Sequence, residues 1–404
     1  MAVLNFARKL EQRSVAVLRK LLGLSLLLLI PALQAAPALV PRPPALAAAS
    51  WILVEASTGA VLVEHEADTA LPPASLTKMM TDYVVAAELS AGRATLDDLV
   101  PISEKAWRMD GSKMFVRVGD QVRLEDLLRG VVIQSGNDAS VALAEYLAGD
   151  EAAFSDVMNR QAALLGMQNS RFRNATGMPA EDHLSTARDL SILARRLIED
   201  FPDHYRYYSE KTFTYGQDFS TGEPITQRNR NELLWVDDSV DGIKTGYTAA
   251  AGYCLVASSE RDGMRLISVV LGTNSPDART QETQKLLRYG FRYFESKPLL
   301  AGNEAMATAP VWKGTRATVA YGLAEDIRLT LPRGTHEGLE TRITMTAPLT
   351  APLAEGDRVG TVAVLSGDEV LVEAPLQALH PVEEAGWFKR LLDALRLWFA
   401  GLFG

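Results

Sequence analysis

The sequence predicts an α+β fold in which an antiparallel sheet is flanked by helices, followed by a small all-β domain and a terminal amphipathic helix. Two hairpin patterns, at 51–65 and 253–271, enclose a long stretch with helical periodicity. Beyond residue 300, short β-like runs alternate with Gly and Pro. We therefore expect strands from both ends of the first region to share one sheet, with the helices between them packed on it.

The strands and helices follow from local patterns. In the first hairpin, 51–55 and 60–65 flank a Ser-Thr-Gly turn, and in the second, 253–259 and 265–271 flank the turn signal 260–263. Apolar residues spaced three and four apart predict helices at 76–89, 124–133, 139–147, 152–165, 186–198 and 281–294. In the smaller domain, strands are expected at 316–320, 327–331, 341–345, 359–365 and 370–374.

Composition excludes several classes of function. The chain has 404 residues, of which 47% are hydrophobic, and a formal net charge of −9, which disfavours binding to a nucleic-acid backbone. Its single cysteine, Cys254, excludes an intramolecular disulfide and a cysteine-based zinc cluster. No two of the five histidines stand three or four residues apart, so a helical histidine pair for a metal is absent. We expect no metal and no cofactor.

The amino terminus has the order of a secretory signal peptide. A basic start is followed by the apolar segment 21–30 and by small residues ending at Ala35. Residues 1–35 are therefore expected to be removed, leaving a linker at 36–49. The alternative is an uncleaved anchor, since residues 21–40 carry no charge. Either arrangement places the rest of the chain outside the cytoplasm.

The carboxyl terminus predicts an amphipathic helix over 386–404. One face carries eight large apolar side chains: Trp387, Phe388, Leu391, Leu392, Leu395, Trp398, Phe399 and Leu402. Four charged residues in this segment argue against a membrane span, whereas aromatic residues with basic neighbours are typical of a helix lying in a membrane interface. The alternative is a terminal helix packed on the protein's own core.

Three short motifs carry the chemistry. In Ser75-Leu76-Thr77-Lys78, at the start of a predicted helix, a hydroxyl and an amine three residues apart share one face, so that the amine can activate the hydroxyl as a nucleophile. Ser135-Gly136-Asn137 lies between two predicted helices and offers a hydroxyl for proton relay and an amide for a peptide-like substrate. Lys244-Thr245-Gly246 directly precedes a predicted strand and offers a positive charge, a hydroxyl and an unobstructed backbone edge. Each motif alone also fits an ordinary helix start or turn, but their occurrence together and in this order makes coincidence improbable.

The ordered motifs resemble those of serine-type penicillin-binding proteins and β-lactamases. The sequence is most similar to the low-molecular-mass D-alanyl-D-alanine carboxypeptidases, and the resemblance covers about residues 48–404. Further segments that carry it are Phe-Arg-Asn-Ala-Thr-Gly-Met-Pro at 172–179, Ser-Thr-Ala-Arg-Asp at 185–189 and Asp-Gly-Ile-Lys-Thr-Gly-Tyr-Thr at 241–248. The resemblance implies a β-lactamase/transpeptidase-like catalytic domain at 50–298, a β-rich domain at 299–380 and a membrane-anchoring helix.

The resemblance also implies the roles of individual residues. Ser75 would form an acyl-enzyme with the penultimate D-alanine, with Lys78 as general base and Ser135 as proton relay to the departing D-alanine. Asn137, Lys244, Thr245, Gly246 and Tyr247 would bind substrate, with the backbone N–H groups of Ser75 and Tyr247 forming the oxyanion hole. Arg279 would receive the terminal carboxylate, although it also fits an ordinary surface arginine.

The implied partners are a peptidoglycan pentapeptide ending in D-Ala-D-Ala, β-lactam antibiotics and a membrane surface on the periplasmic side of the bacterial inner membrane.

Three other functions stay open. A β-lactamase is disfavoured because no Glu-x-x-x-Asn stands between Ser135 and Lys244. An endopeptidase that cuts cross-links uses adjacent chemistry, and a non-catalytic wall-binding scaffold would not need the intact motifs.

Overall fold

The computed structural model describes residues 40–217 and 220–403, with side chains up to residue 399. The predicted signal peptide, residues 36–39 of the predicted linker and the side chain of Leu402 lie outside the described residues. Within the described part, the α+β architecture predicted from the sequence is confirmed, with a β-rich domain and a terminal helix following the larger domain.

The strands in chain order are β1 (Ser50–Glu55), β2 (Val61–His65), β3 (Leu99–Pro101), β4 (Gln121–Arg123), β5 (Thr212–Gln217), β6 (Pro224–Arg228), β7 (Val240–Thr248), β8 (Gly252–Arg261), β9 (Met264–Thr273), β10 (Phe294–Leu300), β11 (Ala307–Pro310), β12 (Thr318–Gly322), β13 (Ile327–Pro332), β14 (Leu339–Met345), β15 (Arg358–Ser366) and β16 (Glu369–Ala378). The α-helices are α1 (Lys78–Ser90), α2 (Glu104–Arg108), α3 (Leu124–Arg129), α4 (Asn137–Ala148), α5 (Glu151–Leu165), α6 (Ala187–Asp200), α7 (Pro202–Tyr205), α8 (Leu233–Val236), α9 (Pro276–Tyr293) and α10 (Trp387–Phe403). Short 3₁₀ turns occupy Ala74–Thr77, Arg206–Ser209 and His336–Gly338.

The central sheet is antiparallel throughout, in the order β2-β1-β9-β8-β7. Its first two strands and its last three come from opposite ends of the larger domain, as predicted. Side chains alternate between two apolar clusters: Ile52 of β1 packs with the helical cluster, whereas Leu53 packs with α9 on the other face. Because both faces are covered, all six residues of β1 are buried.

The helical cluster is built around α1, whose first nine residues are all buried. Hydroxyl and carboxylate side chains cap the neighbouring helices. Asp150, Thr186 and Ser275 accept hydrogen bonds from the backbone N–H groups of Ala153, Asp189 and Ala278. The helix predicted at 281–294 therefore begins earlier, at Pro276, because Ser275 caps it and a proline is well suited to the first turn.

Two local predictions were wrong in their details. The regular helix predicted at 124–133 ends at Arg129 and continues as a wider π-helical turn, Gly130–Gln134, which ends at Ser135 in the left-handed conformation (φ +66°). Lys244-Thr245-Gly246 precedes the predicted strand, which is β8, but the motif itself lies within a further strand, β7, at the edge of the sheet. The apolar run that marked the neighbouring strand belongs to β8, and β7 mixes polar and small residues too strongly to be predicted from its pattern.

The β-rich domain contains a five-stranded sheet in the order β11-β12-β16-β15-β14 and a separate β10–β13 ribbon. The ribbon contacts the larger domain: Thr330 of β13 donates to the buried carboxylate of Glu55 at 3.1 Å. β10 begins at Phe294, directly after α9, and spans the point at which the sequence analysis divides the two domains. In the described residues, no helix combines the length and hydropathy required to cross a membrane.

Candidate active site

Ser75 lies in the 3₁₀ turn that leads into α1. The preceding Ala74 has a left-handed backbone (φ +47°), and a Cβ at Gly177 would lie only 1.8 Å from the Ala74 carbonyl oxygen. The segment around Gly177 therefore lies in close contact with the turn. Glycine is required at position 177 because a side chain would clash with Ala74 and because the backbone there is left-handed (φ +83°). Leu76 and Thr77 are fully buried, whereas Ser75 is half-buried and opens on a cleft.

A neutral histidine, His183, is hydrogen-bonded to this turn through Thr77. His183 Nδ1 accepts a hydrogen bond from the backbone N–H of Arg173 at 3.2 Å, so its Nε2–H donates to Thr77 Oγ1 at 2.8 Å. Burial, with a smaller contribution from the charge of Arg173, lowers the pKa of His183 to about 4. The imidazole therefore stays neutral at physiological pH and holds one tautomer.

Lys78, the first residue of α1, is fully buried. Its Nζ donates to Ser75 Oγ at 3.1 Å, to Asn137 Oδ1 at 2.7 Å and to the carbonyl oxygen of Thr176 at 2.6 Å. Burial, with a smaller contribution from the positive charge of Arg230, lowers the pKa of Lys78 to about 7, and the negative charge of Asp138 opposes this shift. An amine with this pKa next to a serine hydroxyl is suited to take the proton of that hydroxyl.

The second motif forms a loop beside this pair. Asn137 is held at both ends of its amide, because its Oδ1 accepts from Lys78 and its Nδ2 donates to the carbonyl oxygen of Asp110 at 2.6 Å. Ser135 is buried, and within the described part of the chain its Oγ has no hydrogen-bond partner. A buried hydroxyl without a partner at a cleft wall is available to a bound substrate.

The third motif forms the opposite wall. β7 is the terminal strand of the sheet, so one of its edges is not paired with another strand. A Cβ at Gly246 would lie 3.1 Å from the carbonyl oxygen of Pro73, which shows how closely this strand approaches the turn that carries Ser75. Lys244 is buried behind the wall, and burial together with the positive charges of Lys78, Arg230 and Arg279 lowers its pKa well below the usual value.

The walls enclose a cleft of about 490 Å³. Seven of the nine predicted site residues line it: Ser75, Ser135, Asn137, Thr245, Gly246, Tyr247 and Arg279. The other two, Lys78 and Lys244, lie buried behind it. Arg279 is only 8% exposed and lies in α9, so it is not the surface arginine that the sequence left open. None of the described residues that line it is acidic, and Arg230 adds a second guanidinium, so the cleft favours an anionic group.

Comparison with known proteins gives one consistent result. Residues 38–275 match the family described as D-alanyl-D-alanine carboxypeptidase, and residues 294–384 match the C-terminal domain of penicillin-binding protein 5. The chain belongs to the D-alanyl-D-alanine carboxypeptidase family. It is 42% identical over 369 residues to D-alanyl-D-alanine carboxypeptidase DacC of Escherichia coli, which covers 89% of this chain and 90% of the relative.

Solved structures agree with this assignment. Penicillin-binding protein 5 from Haemophilus influenzae is similar with a TM-score of 0.79 at 38% identity, covering 85% of this chain and all of the other. Penicillin-binding protein D2 from Listeria monocytogenes, solved in an ampicillin-bound form, is similar with a TM-score of 0.55 at 31% identity and covers 61% of this chain and 98% of the other. The resemblance stated from the three motifs is confirmed at the level of the family.

The sequence analysis missed several residues of this carboxypeptidase site. Arg230 lines the cleft and bears on the pKa of Lys78, but it belongs to no motif, and nothing in its neighbourhood marks it. Asp138 follows Asn137 directly, and its carboxylate accepts from the backbone N–H groups of Met114, Phe115 and Val116 at 3.0, 2.9 and 3.3 Å. Asp138 directly follows the second motif, yet its partners lie more than twenty residues earlier in the chain and were therefore not predictable.

Thr176 and Gly177 lie in the segment 172–179, which carried the family resemblance, but the sequence assigned no role to either residue. The structure shows that the first supplies a carbonyl acceptor to Lys78 and the second permits the close approach to Ala74. The glycine in Asn-Ala-Thr-Gly was a usable signal, because a glycine that ends such a polar run often has a left-handed backbone.

Proposed function

We propose that Ser75 carries out the carboxypeptidase reaction of this family by attacking the carbonyl between two terminal D-alanines. The observation that carries this assignment is the contact of 3.1 Å between Ser75 Oγ and the buried amine of Lys78, whose pKa is about 7. In its neutral form the amine takes the serine proton as the bond to the substrate carbonyl forms. We assign stabilisation of the resulting oxyanion to the backbone N–H groups of Ser75 and Tyr247, two residues that line the cleft.

Departure of the terminal D-alanine requires a proton on its nitrogen. We assign its delivery to Ser135, whose buried Oγ lacks a partner in the described residues and therefore has a free donor and acceptor. The proton that Lys78 took from Ser75 replaces the one that Ser135 gives up, so that Lys78 is neutral again after the D-alanine leaves. Asn137 is held rigidly by Lys78 and Asp110 and orients the substrate amide. Water then releases the shortened peptide from Ser75.

The terminal carboxylate of the substrate is assigned to the positively charged end of the cleft. Thr245 offers a hydroxyl, and Arg279 offers a guanidinium, which approaches the carbonyl oxygen of Gly246 at 3.5 Å. Arg230 lies beside it and adds positive charge. A β-lactam carries a carboxylate and an activated carbonyl, so we propose that penicillin acylates Ser75 in the same way.

The test is D-alanine release from a soluble pentapeptide that ends in D-Ala-D-Ala, with detection of free D-alanine and mass analysis of the remaining peptide. One D-alanine per peptide and a tetrapeptide product are expected. A cross-linked dimer is the second substrate. Cleavage of that dimer at comparable kcat/KM would favour the endopeptidase alternative, and acylation by penicillin without any peptide cleavage would contradict the carboxypeptidase assignment.

We propose that α10 anchors the protein to a membrane surface. Its apolar side chains are exposed, with Trp387 72% and Trp398 62% accessible. Two of its polar side chains contact the β-rich domain: Asp393 is buried and accepts from the backbone N–H of Lys313 at 2.9 Å, while Lys389 donates to the carbonyl oxygen of Gly314 at 2.5 Å. A helix packed on its own core would have the opposite orientation, so the exposed face is left for lipid.

Deletion of residues 386–404 is expected to move the protein from the membrane fraction to the supernatant without loss of penicillin binding. The matched control is a full-length variant, Lys297→Ala, which changes an exposed lysine elsewhere in the β-rich domain. Cosedimentation with lipid vesicles measures the effect. Persistent sedimentation of the truncated chain would assign the anchor to the amino terminus instead.

These proposals rest on export of the chain. We propose that residues 1–35 are a cleaved signal peptide, that 36–49 is a linker, and that the domain at 50–298 works at the periplasmic face of the inner membrane with the domain at 299–380 beneath it. Sequencing of the mature amino terminus checks the cleavage after Ala35.

A further inference from the structure

The segment 109–119, here called the lip, runs along one side of the cleft between α2 and β4. Gly111 and Ser112 of the lip line the cleft, and the carbonyl oxygens of Asp110 and Ser112 accept from the side chain and the backbone N–H of Asn137. The lip is therefore continuous with the catalytic cleft. Phe115 and Val118 follow in the same segment and are 52% and 51% exposed.

The lip is anchored on both sides of Phe115. Met114 is fully buried and Val116 is 3% exposed, whereas Phe115 between them is 52% exposed, so its ring is directed away from the core that holds its two neighbours. The Asp138 carboxylate accepts from the N–H groups of all three residues. Phe115 is consequently displayed on a fixed backbone, and ordering it on a ligand costs little conformational entropy.

The backbone at Phe115 is in the left-handed region, with φ +72°. For a bulky side chain this conformation is a genuine outlier, and glycine or asparagine would adopt it with less strain. An aromatic ring that is half-exposed also gains little from burial. Neither the local backbone nor the core accounts for phenylalanine at this position, and a strained residue beside a catalytic cleft points to a function.

We propose that Phe115, together with Val118, is a subsite for the sugar rings of the glycan strand that carries the stem peptide. This subsite rests on the proposed function. If the peptide end of the substrate occupies the cleft, the glycan strand that carries the peptide must extend out of the cleft along one of its walls. A hexosamine ring presents an apolar face of C–H groups that packs on an aromatic ring, and the lip offers such a ring on a surface continuous with the cleft. The subsite selects polymer-linked pentapeptide over free pentapeptide.

The experiment compares kcat/KM for D-alanine release from a free pentapeptide and from uncross-linked glycan strands that carry the same pentapeptide. Phe115→Gly removes the ring and relieves the left-handed backbone, Phe115→Tyr keeps the ring, and Leu164→Ala removes an exposed leucine on α5 as the control. We expect Phe115→Gly to lose about tenfold on the glycan-linked substrate and nothing on the free peptide, whereas the other two variants keep both activities.

An equal loss on both substrates, or no loss on either, would overturn the subsite. Should Phe115→Gly unfold, Phe115→Asn is the second variant, since asparagine tolerates the same backbone. Absence of D-alanine release from both substrates by the unaltered protein would contradict the proposed function itself. Because the free peptide reports on catalysis and the ratio of the two substrates reports on the lip, the two failures are distinguishable.

Discussion

Replacement of Ser75 by alanine is expected to abolish acylation by penicillin and to reduce D-alanine release below detection. The change removes the only atom of that side chain that can form an ester, and no neighbouring group replaces it, because Lys78 Nζ is held by Asn137 and Thr176. Ser75 is half-buried and its hydroxyl contacts one partner, so the free energy of unfolding should change by about 0.5 kcal/mol or less.

Ser112→Ala is the matched control, because Ser112 is a second serine of the same cleft wall. Fluorescent penicillin labelling, mass analysis of the adduct and thermal unfolding measure all three proteins. The control variant should label like the unaltered chain. Labelling of Ser75→Ala at the normal rate would show that another residue is the nucleophile.

Replacement of Lys78 by methionine is expected to slow acylation by about 10²–10⁴-fold, the range usually associated with loss of a general base. Methionine has a similar length and tolerates burial, but the acceptors on Asn137 and Thr176 lose their donor. The free energy of unfolding should therefore fall by about 1–3 kcal/mol.

In the unaltered protein, the acylation rate should rise as pH increases through about 7, because burial lowers the pKa of Lys78 to that value and only the neutral amine accepts a proton.

Stopped-flow acylation between pH 5 and pH 9 measures both effects. Lys285→Met, at an exposed lysine of α9, is the control. It should have the same acylation rate and the same pH dependence of that rate as the unaltered protein. A rate independent of pH across this range in the unaltered protein would remove Lys78 from the role of base. The same conclusion would follow if Lys78→Met kept the normal rate.

The motif Ser75-Leu76-Thr77-Lys78 could be interpreted from the sequence because helical geometry alone brings its two functional groups together. A spacing of three residues at a helix start predicts their contact, and the structure places Nζ and Oγ at 3.1 Å. By contrast, the contact of Lys78 with Asn137 joins residues 59 positions apart, and its contact with Thr176 joins residues 98 apart. No local pattern carries that information.

The strand that holds Lys244 illustrates a second limit. The sequence predicted β8 and β9 as a hairpin around the turn signal 260–263, and both strands are rich in apolar residues because they are covered on both faces. β7 lies at the sheet edge and faces the cleft, so its sequence combines a lysine, two threonines and two glycines with few apolar side chains. Its strand character arises from pairing with β8, which is a tertiary contact.

Periodicity and turn chemistry, which act within about ten residues, were sufficient to predict the α+β class, both hairpins, the main helices and the amphipathic face of α10. The three motifs in order indicated the group of serine-type penicillin-binding proteins and β-lactamases, and the further segments at 172–179, 185–189 and 241–248 indicated the carboxypeptidase family within it. The ionisation states of the site residues could not be predicted from the sequence. The pKa of Lys78 depends on its complete burial and on the charges of Arg230 and Asp138, which come from separate segments. The same holds for the neutral state of His183, the orientation of Phe115 and the outward-facing side of α10. Burial and electrostatic coupling act through space, so they are decided only when distant segments pack together.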